Sequence, residues 1–255
     1  MSGALQGRTI IVTGAGGGIG REACMVLAKA GANVVVTDIA EDRGRDTAAA
    51  ITGAGLSARF ISADLASEDQ IRSLVAQAVQ IFGRLDGAFN NAGVEQCALP
   101  LHQLKLEQWE RAIRIDLTSV FLCIKHQVTA MLETGGGAIV NTASSLGRVA
   151  IPNASEYVSA KHGVVGLTRA AAAEYGSRGI RVNAVLPGIV LTPMISRLVG
   201  DPQFQAFFEK VRERHPIGRF GQPQEIGQAV TWLLSEAASF VNGADIAVDG
   251  GYLAV

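Results

Sequence analysis

The chain has 255 residues, a net charge of −1, and an apolar fraction of 48% of which little is aromatic (5%). That length suits one large α/β domain with an aliphatic core, and the balanced charge excludes the basic field of a nucleic-acid or anionic-membrane binder. No run of about 18 apolar residues offers a membrane span, and the N-terminal stretch lacks the charged and apolar regions of a signal peptide, so the expected compartment is the cytoplasm.

Seven short runs read as strands: 9–12, 33–38, 58–62, 85–90, 138–142, 180–186 and 245–248. Most are continuously apolar rather than alternating, as in strands buried on both faces of a parallel sheet. Helical patterns separate them. The first follows Gly20 and ends at Gly31, a candidate C′ glycine. The next opens at Ser67, a candidate N-cap, with apolar residues at 71, 74, 75, 78, 79 and 82. Two long helices are predicted over about 104–132 and over 155–175. Such alternation predicts right-handed crossovers and a doubly wound parallel sheet with helices on both faces, in one Rossmann-type domain spanning 1–255. Residues 1–95 form its cofactor half and 96–255 its catalytic half. Residues 191–223 interrupt the rhythm with four of the seven prolines and several large apolar residues. They read as a mobile lid, against the plainer reading of a helical excursion that completes the core.

Cys24, Cys97 and Cys123 have unrelated spacings and read as buried free thiols in a reducing compartment. The four histidines make no ligand-spaced pair, so no metal site is expected.

The first strand runs into "TGAGGGIG" (13–20) and then a helix. Gly14, Gly16, Gly17, Gly18, Ile19 and Gly20 would bring backbone close to a pyrophosphate at the positive end of that helix. Asp38 lies 18 positions beyond Gly20, where a carboxylate would accept the adenosine ribose hydroxyls. It would repel a 2′-phosphate, which favours NAD over NADP, although Arg43 and Arg45 follow and could serve such a phosphate. Further on, Tyr157 and Lys161 stand four apart on one helix face. An ammonium beside a phenol favours the phenolate; bringing a tyrosine from ~10 to about 7 takes ~4 kcal/mol. Such a tyrosine is a general acid and base.

From Gly7 to Gly251 the chain resembles the short-chain dehydrogenase/reductases. The resemblance is carried by "TGAGGGIG", "DL" (64–65), "NNAG" (90–93), "YVSAK" (157–161), "PGIVLT" (187–192) and "VDGG" (248–251), in order. It implies that Asp64 and Leu65 line the adenine pocket and that Asn91, Ala92 and Gly93 pass under the riboses. It implies that Pro187, Gly188, Ile189, Val190 and Thr192 meet the nicotinamide, and that Lys161 also holds the nicotinamide ribose. Ser144, 13 residues before Tyr157, matches the serine that hydrogen-bonds the substrate oxygen better than Ser145 does. Asp116 stands where the family usually carries an asparagine that anchors a proton-relaying water; a carboxylate there alters the charge around Lys161. Relatives are commonly tetramers.

The expected activity is NAD-dependent interconversion of a hydrophobic secondary alcohol, cyclic or steroid-like, with its ketone. The segment after Gly93 and residues 191–223 would line the pocket. The alternatives are a reductase of 3-oxoacyl thioesters, whose preference for NADPH Asp38 opposes, an isomerase or dehydratase with retained NAD, which usually carries an added substrate domain, and an inactive dinucleotide sensor.

Overall fold

The computed structural model describes residues 3–201, 203 and 205–255. Among the described residues seven strands are present: β1 (Thr9–Thr13), β2 (Asn33–Thr37), β3 (Ala58–Phe60), β4 (Gly87–Asn90), β5 (Gly137–Thr142), β6 (Ile180–Pro187) and β7 (Asp245–Val248). They form one parallel sheet in the order β3-β2-β1-β4-β5-β6-β7. The expected doubly wound architecture is therefore present.

Successive residues of each strand supply opposite faces, because the pleat has a period of two. Ile10, Val12, Val34, Val36, Phe89, Val140 and Val185 pack against α1 (Gly18–Lys29), α2 (Glu41–Gly53) and α9 (Pro223–Leu234). Their neighbours Ile11, Val35, Ala88, Ile139, Ala184 and Leu186 pack against α3 (Glu68–Phe82), α5 (Ser119–Thr134) and α6 (Ser155–Tyr175). The five inner strands β2, β1, β4, β5 and β6 are thus apolar on both sides, which explains their continuous apolar reading.

Local signals terminate the helices as expected. The Ser67 hydroxyl accepts from Gln70 N at the start of α3, and Gly31 follows α1 with φ +97°. The predicted long helix over 104–132 is present from Leu106 to Thr134 but is not α-helical throughout. It consists of α4 (Leu106–Ile113), a π-helical turn (Arg114–Thr118) and α5. A π turn is marked by its backbone hydrogen bonds and not by a residue type, so the sequence pattern does not show it. Residues 191–223 fold into α7 (Pro193–Val199) and α8 (Gln205–Glu213) and a return to α9; positions 202 and 204 lie outside the described residues. Phe208 and Phe220 from this span are buried.

Between β1 and β4 the chain's winding reverses, leaving a crevice at the carboxyl ends of the strands. Thr13, Asn90, Thr142 and Pro187 end their strands at that edge.

Candidate active site

The turn after β1 is shaped by close backbone packing. Gly14 has φ +63°, and a Cβ there would lie 2.8 Å from Ala92 Cα. A Cβ on Gly20 would collide with the Gly14 carbonyl oxygen. Gly17 faces open space. The first turn of α1 carries no acidic residue and no capping side chain, so no side chain of that turn neutralises its N–H groups. The Asp38 carboxylate closes one side of the turn: Oδ2 accepts from Gly16 N at 2.8 Å and Oδ1 from Ala40 N at 2.8 Å. Arg45 is engaged elsewhere, with Glu41 at 3.0 Å and the Phe60 ring at 5.2 Å. A helix end without acidic residues, beside a carboxylate at the end of β2, fits a dinucleotide.

Asn91 and Ala92 approach the same turn. Both of their backbone N–H groups donate to the Thr13 hydroxyl, at 2.9 and 3.1 Å, and Asn91 Nδ2 donates to Thr13 O at 3.1 Å. Asp64 shapes its own turn by accepting from Ala66 N at 2.9 Å, and Leu65 packs on the core. Ile19 packs on the opposite core face. Beyond β6, Pro187 and Gly188 lead to the buried Val190, which pairs with Gly221; Leu191 N donates to Gly221 O at 2.8 Å. Thr192 lies over Gly18, whose added Cβ would be 3.1 Å from its methyl group. All of these positions gather at one edge of the sheet.

Lys161 and Tyr157 share a face of α6. Lys161 is buried, with Nζ 5.3 Å from the Tyr157 ring centre, donating to Thr142 O at 3.2 Å and 3.4 Å from Asp116 Oδ1. Asp116 is fully buried at the centre of the π turn. Its Oδ1 also accepts from Val94 N at 3.1 Å, while Oδ2 is buried with no partner. Burial pushes this carboxyl above its ordinary value; Lys161, the Val94 N–H and Arg111 pull it the other way. Gly93 leaves room for the pair, since a Cβ there would lie 2.5 Å from Asp116 Oδ1.

Ser144 lies on the turn after β5, and its hydroxyl oxygen accepts from Leu146 N at 3.1 Å, a bond that does not use its proton. The turn packs on α6: a Cβ on Gly147 would be 3.0 Å from Lys161 O. The buried Ser145 hydroxyl instead donates to Pro187 O at 2.9 Å. That bond ties the serine turn to the loop after β6.

Sequence reasoning missed several contributors. Thr13 was read only as the first residue of the glycine motif, with no role of its own. His215 is buried; with Nδ1 donating to Val211 O at 2.9 Å, Nε2 accepts from Ile189 N at 3.3 Å. It thereby links the end of α8 to the loop after β6. Glu156 is fully buried beside Tyr157. Cys24 and Cys123 are buried and free, with Cys123 pushed up to about 12 by burial. Cys97 is only half-buried, a correction to the buried thiol expected, because it sits on the irregular segment after β4. Among the described residues no cluster of side chains suits a metal ion, and no helix is long and apolar enough to cross a membrane.

A cavity of about 500 Å³ lies between Pro100–Leu101, residues 150–153 and Ser155, Val158 and Ser159 of α6. Its lining includes neither Tyr157 nor Lys161.

This dinucleotide-type crevice with a paired tyrosine and lysine sits on a chain that belongs to the short-chain dehydrogenase/reductase family. The family model described as enoyl-(acyl carrier protein) reductase matches residues 14–253. The chain is 49% identical over 253 residues to the 2,5-dichloro-2,5-cyclohexadiene-1,4-diol dehydrogenase of Sphingobium indicum, covering 98% of this chain and 99% of that protein. It is 43% identical to the cyclohexanol dehydrogenase of an Acinetobacter species, covering 99% and 97%. Among solved structures it superposes on levodione reductase with a TM-score of 0.93 at 37% identity, covering 98% and 99%. It superposes equally widely on a gluconate 5-dehydrogenase from Beutenbergia cavernae, described as putative and holding NADP at low occupancy (TM-score 0.92, 37% identity, 98% of each chain).

Proposed function

We propose that the protein is an NAD-dependent oxidoreductase interconverting a hydrophobic, cyclic secondary alcohol and its ketone. The observation that carries this reading is the buried Lys161 ammonium beside the Tyr157 ring, at the strand edge where the glycine turn opens. Relatives named for cyclic alcohols support a ring substrate.

Tyr157 takes the hydroxyl proton when the alcohol is oxidised and returns one when the ketone is reduced. The Lys161 ammonium stabilises the negative charge on the phenol oxygen. Ser144 donates its hydroxyl proton as a hydrogen bond to the substrate oxygen. A nicotinamide dinucleotide, when bound, supplies the two-electron acceptor for the carbinol hydrogen. Gly14 and Gly16 to Gly20 would hold its pyrophosphate, Asp38 its adenosine ribose, and Asp64 and Leu65 its adenine. Asn91, Ala92 and Gly93 would pass under both riboses and Lys161 would hold the nicotinamide one, with residues 189–192 around the carboxamide. Residues 191–223 act as the lid. Three free cysteines fit a reducing cytoplasm.

The preference for NAD rests on Asp38, whose carboxylate opposes a 2′-phosphate, and on the engagement of Arg45 with Glu41 and Phe60. The test is a crossed panel of cyclic alcohols, ketones and a 3-oxoacyl thioester with NAD(H) and NADP(H), followed by absorbance of the reduced nicotinamide. Turnover of a cyclic alcohol with NAD is expected. Preference for NADPH overturns the role of Asp38, and turnover of the thioester alone replaces the substrate reading. NADH binding with no turnover of any substrate makes the protein a sensor.

A further inference from the structure

The segment after Gly93 has no strand or helix of its own. Its backbone N–H groups must therefore find partners outside regular structure. Two come from buried carboxylates on different elements: Val94 N donates to Asp116 of the π turn, and Cys97 N donates to Glu156 of α6 at 2.6 Å. Glu156 is fully buried, directly precedes Tyr157, and its second oxygen has no partner. Ala98, next to the held amide, has φ +55°, a left-handed backbone that a non-glycine residue keeps only when its surroundings impose it. A buried acid is costly, and this one accepts a hydrogen bond from a loop amide 59 positions away in the chain.

We propose that Glu156 is the positioning residue for the alcohol pocket. Its carboxylate holds the 94–98 segment against the N-terminal end of α6, so the wall of the pocket and Tyr157 move as one unit. The substrate then meets a preformed wall. Without the acceptor the wall must be ordered by the substrate itself, at the expense of affinity. The glycine turn on the cofactor side rests on other contacts, through Thr13, Asn91 and Asp38. The proposal rests on the reading of the protein as an alcohol dehydrogenase for its kinetic consequence, and on geometry alone for the clamp.

The test compares E156Q and E156M with the native protein, using cyclohexanol and NAD as probes. Gln keeps an acceptor oxygen, whereas Met keeps the volume and removes it. E156M is expected to raise KM for cyclohexanol at least fivefold, with kcat and the Kd of NADH within threefold of native; E156Q is expected to rescue KM to within threefold. A smaller rise in KM, an equal change in NADH affinity, or an E156Q as impaired as E156M overturns the proposal. Hydrogen exchange of the Cys97 amide tests the clamp even if no alcohol is turned over or E156M does not fold. In the native protein it should exchange at least a hundredfold more slowly than an open chain; exchange near the open-chain rate overturns the clamp.

Discussion

Asp116 puts an acid where burial opposes its charge and a lysine favours it. Asp116→Asn keeps an acceptor oxygen for Val94 N and is expected to retain activity within about a hundredfold, ~2.7 kcal/mol. A larger loss in kcat/KM would make the carboxylate itself part of the proton path. The stability effect has a definite sign. A carboxyl raised above its ordinary 3.8 stabilises the fold most below that value, and the contribution is lost as pH rises through the raised native value. The melting temperature of Asp116→Asn relative to native should therefore rise between pH 4 and pH 7.5. A difference that stays level or falls would show that burial does not govern this group. At this scale Tyr157, Lys161 and the glycine turn were legible because their signals are spacings within a few residues. Glu156 and His215 were not, since a buried acid and an exposed one look alike in a sequence.

The elements were legible in type more than in detail. All seven strands fall where their apolar runs predict, yet α2 and α9 were not singled out. The buried stripe of α2 is only Gly44, Thr47, Ala48 and Ile51, too small and polar to stand out among its charges. At α9, Gln222 N donates to Glu225 Oε2 at 2.7 Å, and Arg219 grips the same carboxylate at 2.7 and 2.8 Å. This cap anchors the return of residues 191–223. The Arg219 hydrogen bonds, and then the Gln222 N–H, hold Glu225 down to about 2. Stability from a lowered carboxyl is present above its ordinary 4.5 and is lost as pH falls through the native value. Both partners are partly exposed, so Glu225→Gln should cost only about 1 kcal/mol at pH 7. That cost should shrink as pH drops from 4.5 toward 2. Urea titrations at pH 7 and pH 3 that give equal losses would refute this role for the cap.

For the whole molecule, the expectation is a homotetramer built on α4, α5 and α6. Leu106 and Phe121 are large apolar residues left exposed on α4 and α5 (66% and 47%). Light scattering should give a mass near four times 26.6 kDa; a monomer at working concentration would refute it. The sequence by itself determined the parallel sheet, the glycine turn and the tyrosine–lysine face, because apolar period, glycine spacing and helical repeat are local properties. Only the tertiary structure decided that a π turn buries Asp116 against Lys161, that Thr13 gathers the amides of Asn91 and Ala92, and that Glu156 holds Cys97. Those partners lie tens of residues apart, and their pairing depends on which buried polar groups the packed sheet leaves to be satisfied.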